Sequence, residues 1–146
     1  MELPEHLKYK AIFVQGGAFK TQLPGDSYPR YYFVLNKDPS DEDAIVLTTT
    51  TTHFELHRNC PDGDDVHIDL SVEDYEDFTQ NCLICCNWKP RIIAKDKLIN
   101  VISKQNYTLL KPLPKNVLDR ILNGISKSST IEPRVKSMIL PDSECI

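Results

Sequence analysis

Arg30 opens an apolar run that continues through Tyr31, Tyr32, Phe33, Val34 and Leu35, and a second run, Ala44 to Leu47, leads into five threonines, Thr48 to Thr52. Between them, Asn36 to Asp43 is rich in turn formers and acids, so the two runs read as an antiparallel hairpin. If the numbers of facing residues sum to about 80, Arg30 lies opposite Thr50. A guanidinium offers bidentate charged donors and a threonine hydroxyl adds one more, a set that can hold a phosphate. The plainer alternative is a surface arginine beside a polar strand of high β-propensity.

Two other groups of residues could do chemistry. His53, His57 and Cys60, with the Cys82/Cys85 pair, contain zinc-ligand residue types. A zinc-binding Cys-x-x-Cys normally sits on a turn, whereas Asn81 to Trp88 reads as a strand. Alternation there sends Cys82 and Ile84 to one face and Leu83 and Cys85 to the other. This pattern favours buried structural cysteines and loop histidines, and no metal or other cofactor is expected. No Cys–His pairing carries a local signature of a catalytic nucleophile. Asp62, Asp64, Asp65, Glu73 and Asp74 fall in turns and read as surface-solvating acids.

The elements that must position these residues come from one domain of 146 residues, 40% hydrophobic and 26% charged. With no transmembrane run and no apolar leader near Met1, the expected location is cytoplasmic, with no membrane partner and with Cys60, Cys82, Cys85, Cys86 and Cys145 reduced. The net charge of −4 excludes a broad basic face for polyanions but allows a local one. Strands are expected at Ala11–Val14, Tyr31–Leu35, Ala44 into the threonines, Val66–Leu70, Asn81–Trp88 and Pro90–Lys95. Phe19 to Pro29 reads as a loop, and Ser71 with Asp74 as the start of a helical turn. Helices follow: one with Leu98, Ile99 and Ile102 inward and Asp96 as N-cap, one with a Val117–Ile125 apolar stripe beginning near Pro114, and a last one at Arg134–Leu140. Short strands followed by helices predict a small barrel or sandwich with helices at its end or flank.

The same residues resemble a family. An arginine opening a buried strand, followed by Ala44-Ile45-Val46-Leu47-Thr48-Thr49-Thr50, is similar to the toxins of the MazF/PemK/Kid family. Asp65–Ile84, Lys89–Ile99 and Val117–Ser128 resemble the segments that follow in that family, so the likeness runs from about Tyr9 to Ser129, with 130–146 as a C-terminal extension. Two departures stand in it: Tyr31 occupies the family's proline position, and the loop after Gly16 lacks the usual Gly-x-Glu-Gln run. The resemblance implies an SH3-like β-barrel with C-terminal helices. It also implies metal-independent cleavage of single-stranded RNA by 2′-hydroxyl transphosphorylation, a homodimer, and inhibition by a small antitoxin. Arg30 and Thr50 match the catalytic arginine and threonine, with Thr48 and Thr49 as slips of register. Lys20, Arg58 and Arg91 are the cations that could join Arg30 in an RNA groove. A non-catalytic binding module and a gyrase-poisoning relative are the alternatives on the same fold.

Overall fold

A computed structural model describes residues 10–51, 67–86, 90–104 and 107–141. Arg58, expected in the RNA groove, lies outside the described residues, as do Thr52, the disfavoured metal candidates His53, His57 and Cys60, and the tail residue Cys145. In chain order the elements are β1 (Ala18–Thr21), β2 (Arg30–Val34), β3 (Ala44–Thr49), β4 (His67–Leu70), β5 (Cys82–Cys85), β6 (Arg91–Ala94), α1 (Lys95–Lys104), β7 (Thr108–Leu110), α2 (Lys115–Lys127) and α3 (Pro133–Ile139). Among the described residues no helix is long and apolar enough to cross a membrane.

An all-antiparallel sheet of five strands, in the order β6-β3-β2-β1-β7, organises the molecule, and β4 and β5 form a second, two-stranded sheet. Beyond the end of β3, Thr51 pairs with Leu83 of β5 through two backbone hydrogen bonds of 2.9 Å. β3 therefore feeds both sheets. The large sheet is open: β6 and β7 are its edges and are not paired with each other, so the closed SH3-like barrel expected from the sequence is absent from the strand pairing of the described residues.

Both faces of the large sheet are covered, which is why β2 and β3 read as unbroken apolar runs rather than alternating ones. On one face Phe33 and Val46 join Ile84 of β5 and the α2 residues Val117, Ile121 and Ile125. On the other, Phe19, Tyr32, Val34, Ile45 and Leu47 pack against Leu98 and Ile102 of α1. The C-terminal extension belongs to the first core. Ile131, Val135 and Ile139 are buried there, and the Ile139 carbonyl accepts a 2.9 Å bond from the Gln15 side chain.

The first strand lies later than the sequence suggests. Residues 10–12 are helical, and Ile12 and Phe13 supply the α1-side core. The chain then reverses at Gly16, with φ of +86°, and Gly17, where a Cβ would sit 2.0 Å from the Ile12 carbonyl oxygen. Only then does β1 begin, within the expected loop. Its four residues have little strand signal of their own; β2 on one side and β7 on the other hold it extended. β7 itself is too short to show in the sequence. Residues 71–80 form turns rather than a helix: Asp74 accepts from the Ser71 amide at 2.7 Å, the reciprocal bond of a capping box, but the chain does not continue into a helix. The Asp96 cap is also corrected: α1 starts at Lys95, so Asp96 lies in its first turn, where a carboxylate still favours the helix dipole.

The β2–β3 register differs from expectation by one residue. Tyr32 faces Thr49 and Phe33 faces Thr48. Asn36, fully buried, sets this alignment: its side chain donates to the Ala44 carbonyl at 2.9 Å and accepts from the Val46 amide at 2.7 Å. Continuing that pairing puts Thr50 opposite Tyr31 and Arg30 opposite Thr51. Since one residue of slip changes faces, Arg30 and Thr50 project from opposite sides of the hairpin.

Candidate functional site

A cleft of about 220 Å³ opens at the end of β2, where β1, β3, the loop before Arg30 and the 71–80 turns meet. Its rim brings together Lys20, Arg30 and Thr50, three of the residues singled out in the sequence. Lys20 arrives because β1 pairs with β2 and places it beside Tyr31, and its ammonium lies 4.9 Å from the centre of the Tyr31 ring. Arg30 arrives differently. Its guanidinium lies against Tyr28, 5.0 Å from the ring centre, and donates a 2.9 Å hydrogen bond to the Tyr28 hydroxyl. That contact folds Arg30 over the strand end toward the face on which Thr50 stands.

Among the described residues, Arg30 and Lys20 have no carboxylate partner, and none of the residues lining the cleft is acidic. Among the described residues the Arg30 guanidinium is bonded to the Tyr28 hydroxyl and to no carboxylate, which leaves its charge to an incoming anion. In a chain of net charge −4, this is a local concentration of positive potential.

The cleft floor is an aromatic knot. Tyr31 meets Phe78 edge-on at 5.4 Å, and Phe78 meets Tyr75 at 4.8 Å. The Tyr31 hydroxyl donates to the Asp77 carbonyl at 2.9 Å. The Lys111 amide donates to the Asp77 carboxylate at 3.0 Å, and the Tyr75 hydroxyl donates to the Lys111 carbonyl. These bonds hold the 71–80 turns in place, so Thr79 and Gln80 join the lining. None of these residues stood out in the sequence as a site. Their signal was the aromatic spacing Tyr75–Phe78, which also fits a buried helical turn.

Thr50 lies beside Cys82 at the cleft wall. Burial pushes the Cys82 thiol up to about 11, and a side-chain hydrogen bond with Thr50 acts in the opposite direction. At neutral pH Cys82 is therefore a protonated core thiol rather than a nucleophile. Cys82, Cys85 and Cys86 are buried, and Cys82 and Cys85 stand on a strand rather than on a metal-binding turn. The neighbouring threonines have other duties. The Thr49 hydroxyl donates to the Tyr31 carbonyl at 2.6 Å, and the Thr51 backbone joins the two sheets.

A second cleft of about 220 Å³ lies on the other side of Arg30, lined also by Tyr32, Thr48, Thr49 and Arg91. Here the expected RNA-binding Arg91 has internal partners. It pairs with the Asp26 carboxylate at 3.2 Å, donates to the Tyr32 hydroxyl at 3.3 Å and bonds the Pro24 carbonyl. Asp26 also accepts from the Leu23 amide at 2.9 Å and from the Tyr32 hydroxyl. Burial, and next the bond to Asp26, push the Tyr32 phenol well above the usual tyrosine range. The network pins the β1–β2 loop to the sheet, and that loop carries Tyr28.

No family model matches the chain, and no curated protein matches it at a significant level. The chemistry of the cleft is therefore read from its own residues.

Proposed function

We propose that this protein binds single-stranded RNA at the Arg30 cleft and cleaves it without a metal, as a toxin-like endoribonuclease of the MazF/PemK/Kid kind. One observation carries the reading: an acidic chain gathers Lys20, Arg30, threonine hydroxyls and tyrosine rings around a cleft free of carboxylates among the described residues. Cations suit a phosphate backbone, and a half-exposed Tyr28 suits an unstacked base. The passage of β3 from one sheet into the other at Thr51 suits an open variant of the SH3-like barrel.

In the proposed step the ribose 2′-oxygen attacks the adjacent phosphorus and the bond to the 5′-oxygen breaks. The proton lost by the 2′-hydroxyl is matched by the one gained at the 5′-oxygen, leaving a 2′,3′-cyclic phosphate and a 5′-hydroxyl. A guanidinium is a poor base, so Arg30 is not assigned the proton transfer. Its role is to hold the phosphate and stabilise charge on the non-bridging oxygens, with Lys20 adding charge and Thr50 a further donor. Under this reading the working form is a homodimer, and a small antitoxin silences it by laying an acidic segment across the cleft.

A second reading, a module that binds RNA here without cutting it, is favoured by one observation. The described lining residues include no histidine or carboxylate to take the 2′-hydroxyl proton. Incubation of purified protein with single-stranded RNA and a chelator separates the two. Cleavage to cyclic-phosphate and 5′-hydroxyl ends by the wild type, and none by folded Arg30→Ala, is the expected result. Full cleavage by folded Arg30→Ala would remove Arg30 from the mechanism, and tight binding without cleavage by the wild type would establish the module.

A further inference from the structure

Arg30 is the shared wall of two clefts of similar size, each about 220 Å³, one on either side of the β2 strand end. The two differ in charge. The first holds Lys20, which has no carboxylate partner among the described residues; the second holds Arg91 already neutralised by Asp26. An anion seated on Arg30 thus has room on both sides, one side positive and the other balanced. A phosphate monoester carries a single organic substituent and fills only one of these spaces. A phosphodiester carries two.

Resting on the RNA reading above, we infer that the ligand unit of this site is a phosphodiester that straddles Arg30, with one nucleoside in the Lys20 cleft and the other in the Arg91 cleft. The Lys20 side, with Tyr28 as a stacking surface and Gln80 and Thr79 as hydrogen-bonding groups, takes the nucleoside whose own further phosphate continues the chain. Lys20 neutralises that next charge. The Arg91 side offers Tyr32 and the threonine backbone beside a neutral ion pair and takes a nucleoside without requiring a further phosphate. Arg91 is thereby a positioning residue: it fixes the wall of the second cleft and the loop that presents Tyr28, while Arg30 alone grips the central phosphate.

The test exploits charge. A nucleoside monophosphate is more negative than a dinucleoside monophosphate, so attraction to Arg30 and Lys20 alone would favour the mononucleotide. The probes are a 2′-O-methyl dinucleoside monophosphate, which cannot cyclise, and the corresponding 3′- and 5′-mononucleotides. They are titrated into isotope-labelled full-length protein and followed by amide chemical shifts. The expected result is at least tenfold tighter binding of the dinucleotide. Its shifts should cover Thr50, Thr79 and Gln80 in one cleft and Thr49 and Arg91 in the other, whereas each mononucleotide moves one set. A phosphate added on the Lys20 side should tighten binding further, and Lys20→Ala should erase only that increment. Equal or weaker binding of the dinucleotide, or shifts confined to one cleft, would overturn the straddling arrangement even if long single-stranded RNA is cleaved. Failure of all single-stranded RNA, short or long, to bind or be cut would remove the RNA reading itself.

Discussion

Arg30 and Arg91 line the same cleft, yet their surroundings differ. Arg91 has a carboxylate, a phenol and a carbonyl as partners, and it ties the β1–β2 loop to β6. Among the described residues Arg30 has the Tyr28 hydroxyl and ring as its partners. The difference teaches that an arginine's position at a strand end says little about its function. What separates a structural cation from a binding cation is whether an acid has been folded against it. Asp26 makes that choice, because the turn at Leu23–Asp26 points its carboxylate at Arg91 and Tyr32 rather than at Arg30.

The largest expected effect of breaking this comparison is on catalysis. Arg30→Ala should lower single-turnover RNA cleavage by about 100-fold or more, the scale of losing a charged donor to a transition-state oxygen, while leaving the urea midpoint nearly unchanged. Arg91→Ala should do the reverse. It strands the mostly buried Asp26 carboxylate and should cost about 2 kcal/mol of stability in urea titrations, with residual activity in the folded fraction. If Arg91→Ala proved as inactive as Arg30→Ala at equal stability, the division of labour would be wrong.

The threonines offer a finer version of the same contrast. Thr50→Val should slow cleavage by about tenfold with little change in stability, since its hydroxyl borders the cleft. Thr49→Val should cost about 1 kcal/mol of stability by removing the bond to the Tyr31 carbonyl, with a smaller effect on rate. Equal rate effects would mean that the register, rather than Thr50, matters.

The smallest effect is on alkaline stability. The Cys82 thiol is raised from 9.0 to about 11 in the folded protein. Between those values the unfolded chain has lost this proton and the native state keeps it, so the native state binds more protons and stability falls as pH rises. Stability should be full below pH 9 and decline as pH passes through 11, with the raised Tyr32 and Tyr75 phenols steepening the decline at its upper end. Cys82→Ser should shallow the early part of the curve, measured as thermal midpoint against pH, and Cys82 should alkylate slowly in the folded protein at neutral pH.

Much of the fold was legible in the residues. The runs at Tyr32–Val34 and Ile45–Leu47 announced strands buried on two faces, and the stripe of Val117, Ile121 and Ile125 announced α2. β1 and β7 were not legible. A strand of three or four residues is held by its neighbours and leaves almost no periodic signal. The 71–80 segment misled because Ser71 and Asp74 can cap a helix or close a turn, and the burial of Tyr75 and Phe78 under the cleft selects the turn. Gathering Arg30, Thr50 and Lys20 at one cleft was half legible. The hairpin brought the first two near each other, but the buried Asn36 set a register one residue away from the expected one.

By itself, the sequence determined that Arg30 would stand at the mouth of a buried hairpin beside a threonine-rich strand end. Local alternation, turn chemistry and hydrophobic runs are encoded over a few neighbouring residues. Only the tertiary structure decided which of the two arginines would be paired with a carboxylate among the described residues. That depended on Asp26 meeting Arg91, 65 residues away, on Tyr28 drawing Arg30 across the strand end, and on the 71–80 turns laying Phe78 beside Tyr31 in the Arg30 cleft. Electrostatic availability is a property of three-dimensional neighbours, and no residue carries it alone.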